Sequence, residues 1–299
     1  MSKCLLTFAH MAIIILSIAS DVDCDRPIYN IANMVNSVKQ IDTWLGYGAN
    51  ALEVDVRFKW NGTPQYFYQG WPCDVGRFCH RWSYVRNYIN ALRQRTIPSS
   101  GKFNKNLVLV MFDVKLKKLK GKTLTSAGKK FVSRILIPLY KNNPTDMKVV
   151  VSVPNLGKKN FISGLLKQLK TDNQDIIKKI GFDISWDGRS SAAKERVLRQ
   201  LGVPSGHAWL STGGINWFPF FYLRKLKKQV QYSEETGYFS KVIVRSVDFT
   251  SVAKKYLEID LDGMVSNYPG RVMKAMEKVN KGKVKVRLAN LCDDPFAKY

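Results

Sequence analysis

Residues 51–56 read ALEVDV and residues 107–113 read LVLVMFD. Both are short, apolar, β-branched runs, and both carry carboxylates: Glu53 and Asp55 in the first, Asp113 at the end of the second. Apolar runs this short read as buried strands rather than helices. Period-two geometry puts Glu53 and Asp55 on one face of their strand. Working outward, similar runs recur at 27–32, 65–69, 148–153, 181–184, 207–210, 242–247 and 263–266. Between them lie candidate helices at 35–45, 84–95, 127–140, 160–169, 192–201 and 271–280. Strand–helix alternation predicts an α/β fold with a parallel sheet. About eight such units in a chain of 299 residues predict a (β/α)₈ TIM barrel, with a doubly wound open sheet as the alternative. Pro and Gly are scattered and no low-complexity tract divides the chain, so a single domain is expected.

Composition narrows the function classes. Hydrophobic residues make up 45%, enough for a core and too many for a disordered chain. No run of about 18 apolar residues suggests a membrane span. Lys and Arg number 48 against 23 Asp and Glu, giving +25. That field favours anionic partners, meaning acidic glycans, nucleic acid or anionic lipid.

The N-terminus sets the expected compartment. Residues 1–20 read MSKCLLTFAHMAIIILSIAS, with Lys3 ahead of a short apolar run and small residues near Ala19. This pattern predicts a secretory signal peptide over 1–19, a mature chain over 20–299 and an extracellular location. Cleavage removes Cys4 and leaves Cys24, Cys73, Cys79 and Cys292. Four cysteines in an oxidising compartment suggest two disulfides, with three pairings possible. Cys73 and Cys79 would close a small loop; Cys24 and Cys292 would then tie the termini together. The sequon Asn61-Gly62-Thr63 is a candidate glycosylation site.

In a barrel, residues at the C-terminal strand ends form the active face. Glu53, Asp55 and Asp113 converging there would suit a hard divalent cation such as Mg²⁺. Lys115, two residues beyond Asp113, points the same way and suits a phosphate oxygen. The alternative is that all four are ordinary strand-end charges.

Several motifs occur in order: RPIYNIANMVN, QIDTWLGYGANALEVDV, PQYFYQGWPCDVGRFC, LVLVMFDVK, GHAWLSTGGINWFP, VDFTSVAKKYLEIDLDGMVSNYP and ANLCDDPF. Together they resemble the arachnid sphingomyelinase D / phospholipase D toxins, barrel proteins related to glycerophosphodiester phosphodiesterases. The resemblance runs from Arg26 to Phe296, and its last motif looks like a short C-terminal plug. It implies one Mg²⁺ held by Glu53, Asp55 and Asp113, with Lys115, Asp248 and Asn267 as further site residues and a catalytic loop closed by Cys73–Cys79. The implied chemistry is attack of the lipid's own hydroxyl on phosphorus. Choline leaves a choline phospholipid, sphingomyelin or lysophospholipid, and a cyclic phosphate remains.

The departures from that pattern bear directly on activity. The family carries its acid–base histidines in G-H-M-V-N and Y-H-G-x-P-C-D motifs. Asn33 and Gln69 stand at those two positions. An amide hydrogen-bonds to phosphate but cannot shuttle a proton near neutral pH. Such catalysis is worth about 10²–10⁴-fold. A substrate-site tryptophan is replaced by Arg245, which removes an aromatic face for a quaternary ammonium and adds a charge that repels choline. Val75 and Trp217 stand where some relatives have a second loop disulfide.

Of the remaining histidines, His80 flanks the catalytic loop and is a possible substitute base, while His207 is expected to be structural, far from the site. The basic runs KLKKLKGK at 115–122 and LRKLKK at 223–228 are either solvated faces or contacts for an anionic membrane or glycan. Trp71, Trp217, Phe218 and Phe220 are candidate membrane-dipping aromatics at the mouth. Nucleic acid is not expected, since no recognition module is present. The expected protein is a monomeric, phospholipid-binding pseudoenzyme. The alternatives are an active Mg²⁺-dependent phospholipase D and a non-enzymatic basic effector.

Overall fold

The computed structural model describes residues 25–70, 79–213 and 219–298. Eight parallel strands close into a barrel: β1 (Arg26–Ala32), β2 (Ala51–Phe58), β5 (Leu109–Lys115), β6 (Lys148–Val153), β7 (Ile180–Ile184), β8 (Ala208–Gly213), β9 (Phe239–Arg245) and β10 (Gly263–Ser266). Closure comes from β1, which pairs with β10 on one side and β2 on the other. The barrel expectation therefore holds over the open-sheet alternative. Period-two alternation sorts each strand's side chains. Val54, Val56, Val110, Phe112, Val149 and Val151 face the helices, while Ile31, Met111, Val150, Trp209, Ile243 and Val265 fill the lumen.

The run at 65–69 is not a barrel strand. It forms β3 (Pro64–Phe67), antiparallel to β2, and β3 continues the hairpin to β4 (Ser83–Tyr84). Its apolar pattern is used on Phe67, which stacks on Phe112 and packs at a tilt against Tyr88 outside the barrel wall. The helix expected over 127–140 is broken into a helix (Lys122–Phe131), a π turn (Val132–Leu136) and a short helix (Ile137–Tyr140). Pro138 has no N–H to give the carbonyl four residues back, so a regular helix cannot run through it.

A short β11 (Val286–Leu288) extends the sheet beside the start of β1, and the chain then plugs the N-terminal end of the barrel. Trp209 Nε1 and Ser240 Oγ both donate to the Pro295 carbonyl, at 3.0 and 2.9 Å. Lys241 Nζ donates to the Ala297 carbonyl. Phe296 stacks on His207 and lies against Gly181, where a Cβ would come within 2.4 Å of its ring. Only glycine leaves room for that ring, so the plug expected from ANLCDDPF is built by Gly181 as much as by Phe296. His207, whose Nδ1 contacts the Ile180 carbonyl at 2.8 Å, sits at this closed end and is structural, as expected.

Candidate active site

At the opposite end of the barrel, the C-terminal strand ends enclose a cavity of about 230 Å³. Strand register sets its floor. Asp55 on β2 pairs with Asp113 on β5, Asp113 with Ser152 on β6, and Ser152 with Asp183 on β7. Glu53 lies one inward position deeper, beside Met111. The expected site residues Glu53, Asp55, Asp113, Lys115, Asn33, Gln69 and Arg245 all line this one cavity.

Two cations divide the acids between them. Lys115 Nζ lies 2.7 Å from both Asp55 Oδ1 and Asp113 Oδ2. Burial alone would lower the Lys115 pKa, but the adjoining Asp113 and Asp55 outweigh it and raise it, so the ammonium stays charged. Arg245 reaches in from β9, donating through Nη1 to Glu53 and through Nη2 to Ser152 Oγ at 2.8 Å and to Asp183 Oδ2 at 3.3 Å. Ser152 and Ser211 hydroxyls also donate to Asp183 Oδ2, at 2.9 and 2.8 Å. Burial pushes Glu53 up to about 7 despite the pull of Arg245. Burial likewise raises Asp55, against Lys115.

The three carboxylates predicted to hold Mg²⁺ are thus brought together but not presented as an open oxygen cage. Glu53 is turned onto Arg245, and Asp55 is shared between Lys115 and the Asn36 amide, 2.7 Å from each. Among the described residues, no group of three acidic, histidine or cysteine side chains is disposed to hold a metal ion. Mg²⁺ demands near-octahedral oxygen donors, and this donor set, each acid already carrying a cation, does not fit it.

Asn33 Nδ2 donates to Asn267 Oδ1 at 2.9 Å, and Asn267 in turn donates from N and Nδ2 to the two Asp248 oxygens, each at 2.8 Å. Asp248 and Asn267 therefore stand behind Asn33 as its support rather than on the cavity wall. Arg245 is also corrected. Expected as a free positive charge facing choline, it is 5% exposed, with its charge answered by Glu53 and Asp183. His80 does not line the cavity.

Several site residues escaped sequence reasoning. Asn36 orients Asp55 from both sides, since its Oδ1 also accepts from the Asp55 amide at 2.9 Å. Asp183 lies one residue before the end of β7, as Asp113 lies near the end of β5, and that position was the available signal. Met34 and Ser246 line the cavity with φ of +54° and +62°, a left-handed conformation that costs non-glycine residues on the order of 1–3 kcal/mol. Trp186, 54% exposed, follows β7 and forms one wall. Beyond it a second cleft of about 440 Å³ shares Lys115 and adds Arg57, Lys117 and Lys158.

Cys79 is disulfide-bonded, and its Sγ lies 3.8 Å from Met34 Sδ. Cys73, its expected partner, lies outside the described residues, as do Trp71, Trp217, Phe218, Cys24, the 1–19 segment and the Phe220 side chain. Cys292 is an exposed free thiol. Asn61 is exposed in a turn, consistent with a sequon. Among the described residues, no helix is long and apolar enough to cross a membrane.

Comparison with known proteins agrees with the barrel fold. Among solved structures, a glycerophosphodiester phosphodiesterase from Parabacteroides distasonis superposes with a TM-score of 0.56 at 11% identity, covering 85% of this chain and 98% of that one. An Oleispira antarctica phosphodiesterase in complex with its product sn-glycerol-3-phosphate gives 0.52 at 17%, covering 83% and 96%. At these identities the likeness is one of fold. A dermonecrotic toxin of Loxosceles laeta is 35% identical over 93% of this chain and 91% of its own length. A Loxosceles arizonica dermonecrotic toxin is 34% identical over 92% and 90%. The family model described as "Dermonecrotic toxin SPH" matches residues 23–296, and the chain belongs to that dermonecrotic toxin family.

Proposed function

We propose that this is a secreted, monomeric member of the toxin family that binds a phospholipid headgroup at the barrel mouth and turns it over very weakly or not at all. The observation that carries the reading is the pair of amides. Asn33 and Gln69 line the cavity at the two positions where the resembled toxins place their acid and base, and no histidine among the described residues lines it in their stead. Neither amide accepts and returns a proton at neutral pH, so the transfers from the attacking hydroxyl and to the leaving group have no carrier. What remains suits binding. Lys115, paired with Asp55 and Asp113 but still partly exposed, stands at the cavity wall beside the aromatic face of Trp186. The second cleft adds three further cations, Arg57, Lys117 and Lys158, which suit phosphate or an anionic lipid surface.

Exposed Trp186, Phe249 and Tyr268 each follow a C-terminal strand end, where amphipathic rings favour a membrane interface. The apolar N-terminal run supports secretion, and the bonded Cys79 fits an oxidising compartment and a Cys73–Cys79 loop.

The test is ³¹P NMR of sphingomyelin and lysophosphatidylcholine with the mature protein, alongside co-sedimentation with vesicles of the same lipids. Binding without new phosphorus signals is expected. A cyclic phosphate signal from the wild-type protein would establish an active phospholipase D and overturn the reading. Vesicle binding that ignores headgroup but falls steeply with salt would favour a basic effector instead.

A further inference from the structure

We infer that Arg245 is the resident cation of this site, and that its guanidinium takes the place a divalent metal ion would need. Three observations converge. First, Arg245 is buried and spans the lumen, from β9 to Glu53 on β2, between residues 192 apart in sequence. Second, it is held on both terminal nitrogens, by Glu53 on one side and by Ser152 and Asp183 on the other. Third, the opposing charge is built to match. Asp183 collects two serine hydroxyls and the guanidinium on a single oxygen, which holds that acid fixed against Arg245. Lys115 completes the arrangement by sitting 2.7 Å from the other two acids.

A metal ion entering here would have to displace Arg245 from Glu53 or Lys115 from Asp55 and Asp113. Displacing Arg245 leaves a guanidinium buried without its partner, which proteins resist strongly. Ejecting it into solvent is no easier. The side chain is 5% exposed and held at both terminal nitrogens, so leaving would break every one of those contacts. Conversely, without Arg245 the pocket would hold Glu53, Asp55 and Asp113 against Lys115 alone, which is an acidic, cation-seeking set.

The proposal does not depend on which lipid binds, because its readout is metal binding. Mn²⁺, an EPR-visible analogue of Mg²⁺, is titrated into the wild-type protein and into Arg245→Met, a substitution of similar length that removes the charge. Wild type is expected to leave the Mn²⁺ signal that of the free ion up to about 1 mM. Arg245→Met is expected to take up one equivalent, tighter by roughly two orders of magnitude, the effect of removing one adjacent charge. Adding Asp55→Asn should abolish that uptake.

The melting temperature of Arg245→Met should rise with Mn²⁺, while that of wild type should not. One Mn²⁺ bound by wild type and lost in Asp55→Asn would overturn the proposal, as would a folded Arg245→Met that binds no more than wild type. Should Arg245→Met not fold, Arg245→Lys keeps the test decisive: a charged but shorter side chain is expected still to exclude Mn²⁺, and uptake by it would overturn the proposal.

Discussion

Strand β9 carries two cations toward the barrel lumen, Lys241 near its start and Arg245 at its end. Their charges and inward directions are the same, yet their surroundings differ. Lys241, 0% exposed, donates to the chain's own Ala297 carbonyl, so its burial locks the plug in place. The plug is built beside it, from the Trp209 and Ser240 hydrogen bonds to Pro295, the Phe296 ring and the glycine that admits that ring, with Asp262 as a nearby opposite charge. Arg245 instead faces a polar cavity open to ligands, meets side-chain acids rather than backbone, and leaves its own Nε and the Asp183 Oδ1 without partners among the described residues. One end of the barrel invests burial in stability. The other gathers paired charges around a cavity open to ligands, as functional sites characteristically do.

Breaking the mouth end should cost most. Arg245→Met, measured by urea unfolding in EDTA, should lose about 3–5 kcal/mol, because Glu53 and Asp183 are left buried without their cation. Adding Glu53→Gln should return part of that loss. If Arg245→Met unfolds like wild type, the two acids do not depend on the guanidinium. Breaking the plug end comes next. Phe296→Ala should cost about 3 kcal/mol, the usual penalty for emptying an aromatic site, while vesicle binding at the mouth stays unchanged. A fall in binding would mean that the two ends are coupled through the barrel.

The smallest effect sharpens the comparison through pH. Burial lowers the Lys241 pKa to about 8, below its value in an unfolded chain, although Asp262 pulls the other way. Between the folded and unfolded values the unfolded state holds more protons, so stability should rise as pH climbs from about 8 to 10, by about 2 kcal/mol. Lys241→Met should flatten that rise. A slope unchanged in Lys241→Met would assign it to another group.

Much of this molecule was legible from the pattern of residues. The strand–helix alternation predicted the barrel, and spacing put Glu53 with Asp55 and Asp113 with Lys115 on common faces, which is how they stand. The failures have physical causes. The strand at 242–247 begins instead at Phe239, because Ser240 and Lys241 look like a loop until the plug supplies carbonyls for them. The basic run at 223–228 lies within a helix, Pro219–Thr236, whose inward face is marked there by a buried Leu226 among lysines. The run at 115–122 divides similarly, with Leu116 and Leu119 buried and Lys117, Lys118 and Lys120 in solvent.

By itself, then, the sequence determined the strand–helix alternation of the barrel, the height of each acid along its strand and the amides Asn33 and Gln69 at the two family positions, since these follow from local periodicity and residue identity; that His80 stays off the cavity was decided by the fold. Only the tertiary structure decided what the acids do. Whether three carboxylates form a metal cage or a set of salt bridges depends on which cation reaches them across the lumen. Arg245 meets Glu53 only because barrel closure brings β9 within reach of β2, a contact between residues 192 apart that no local pattern encodes.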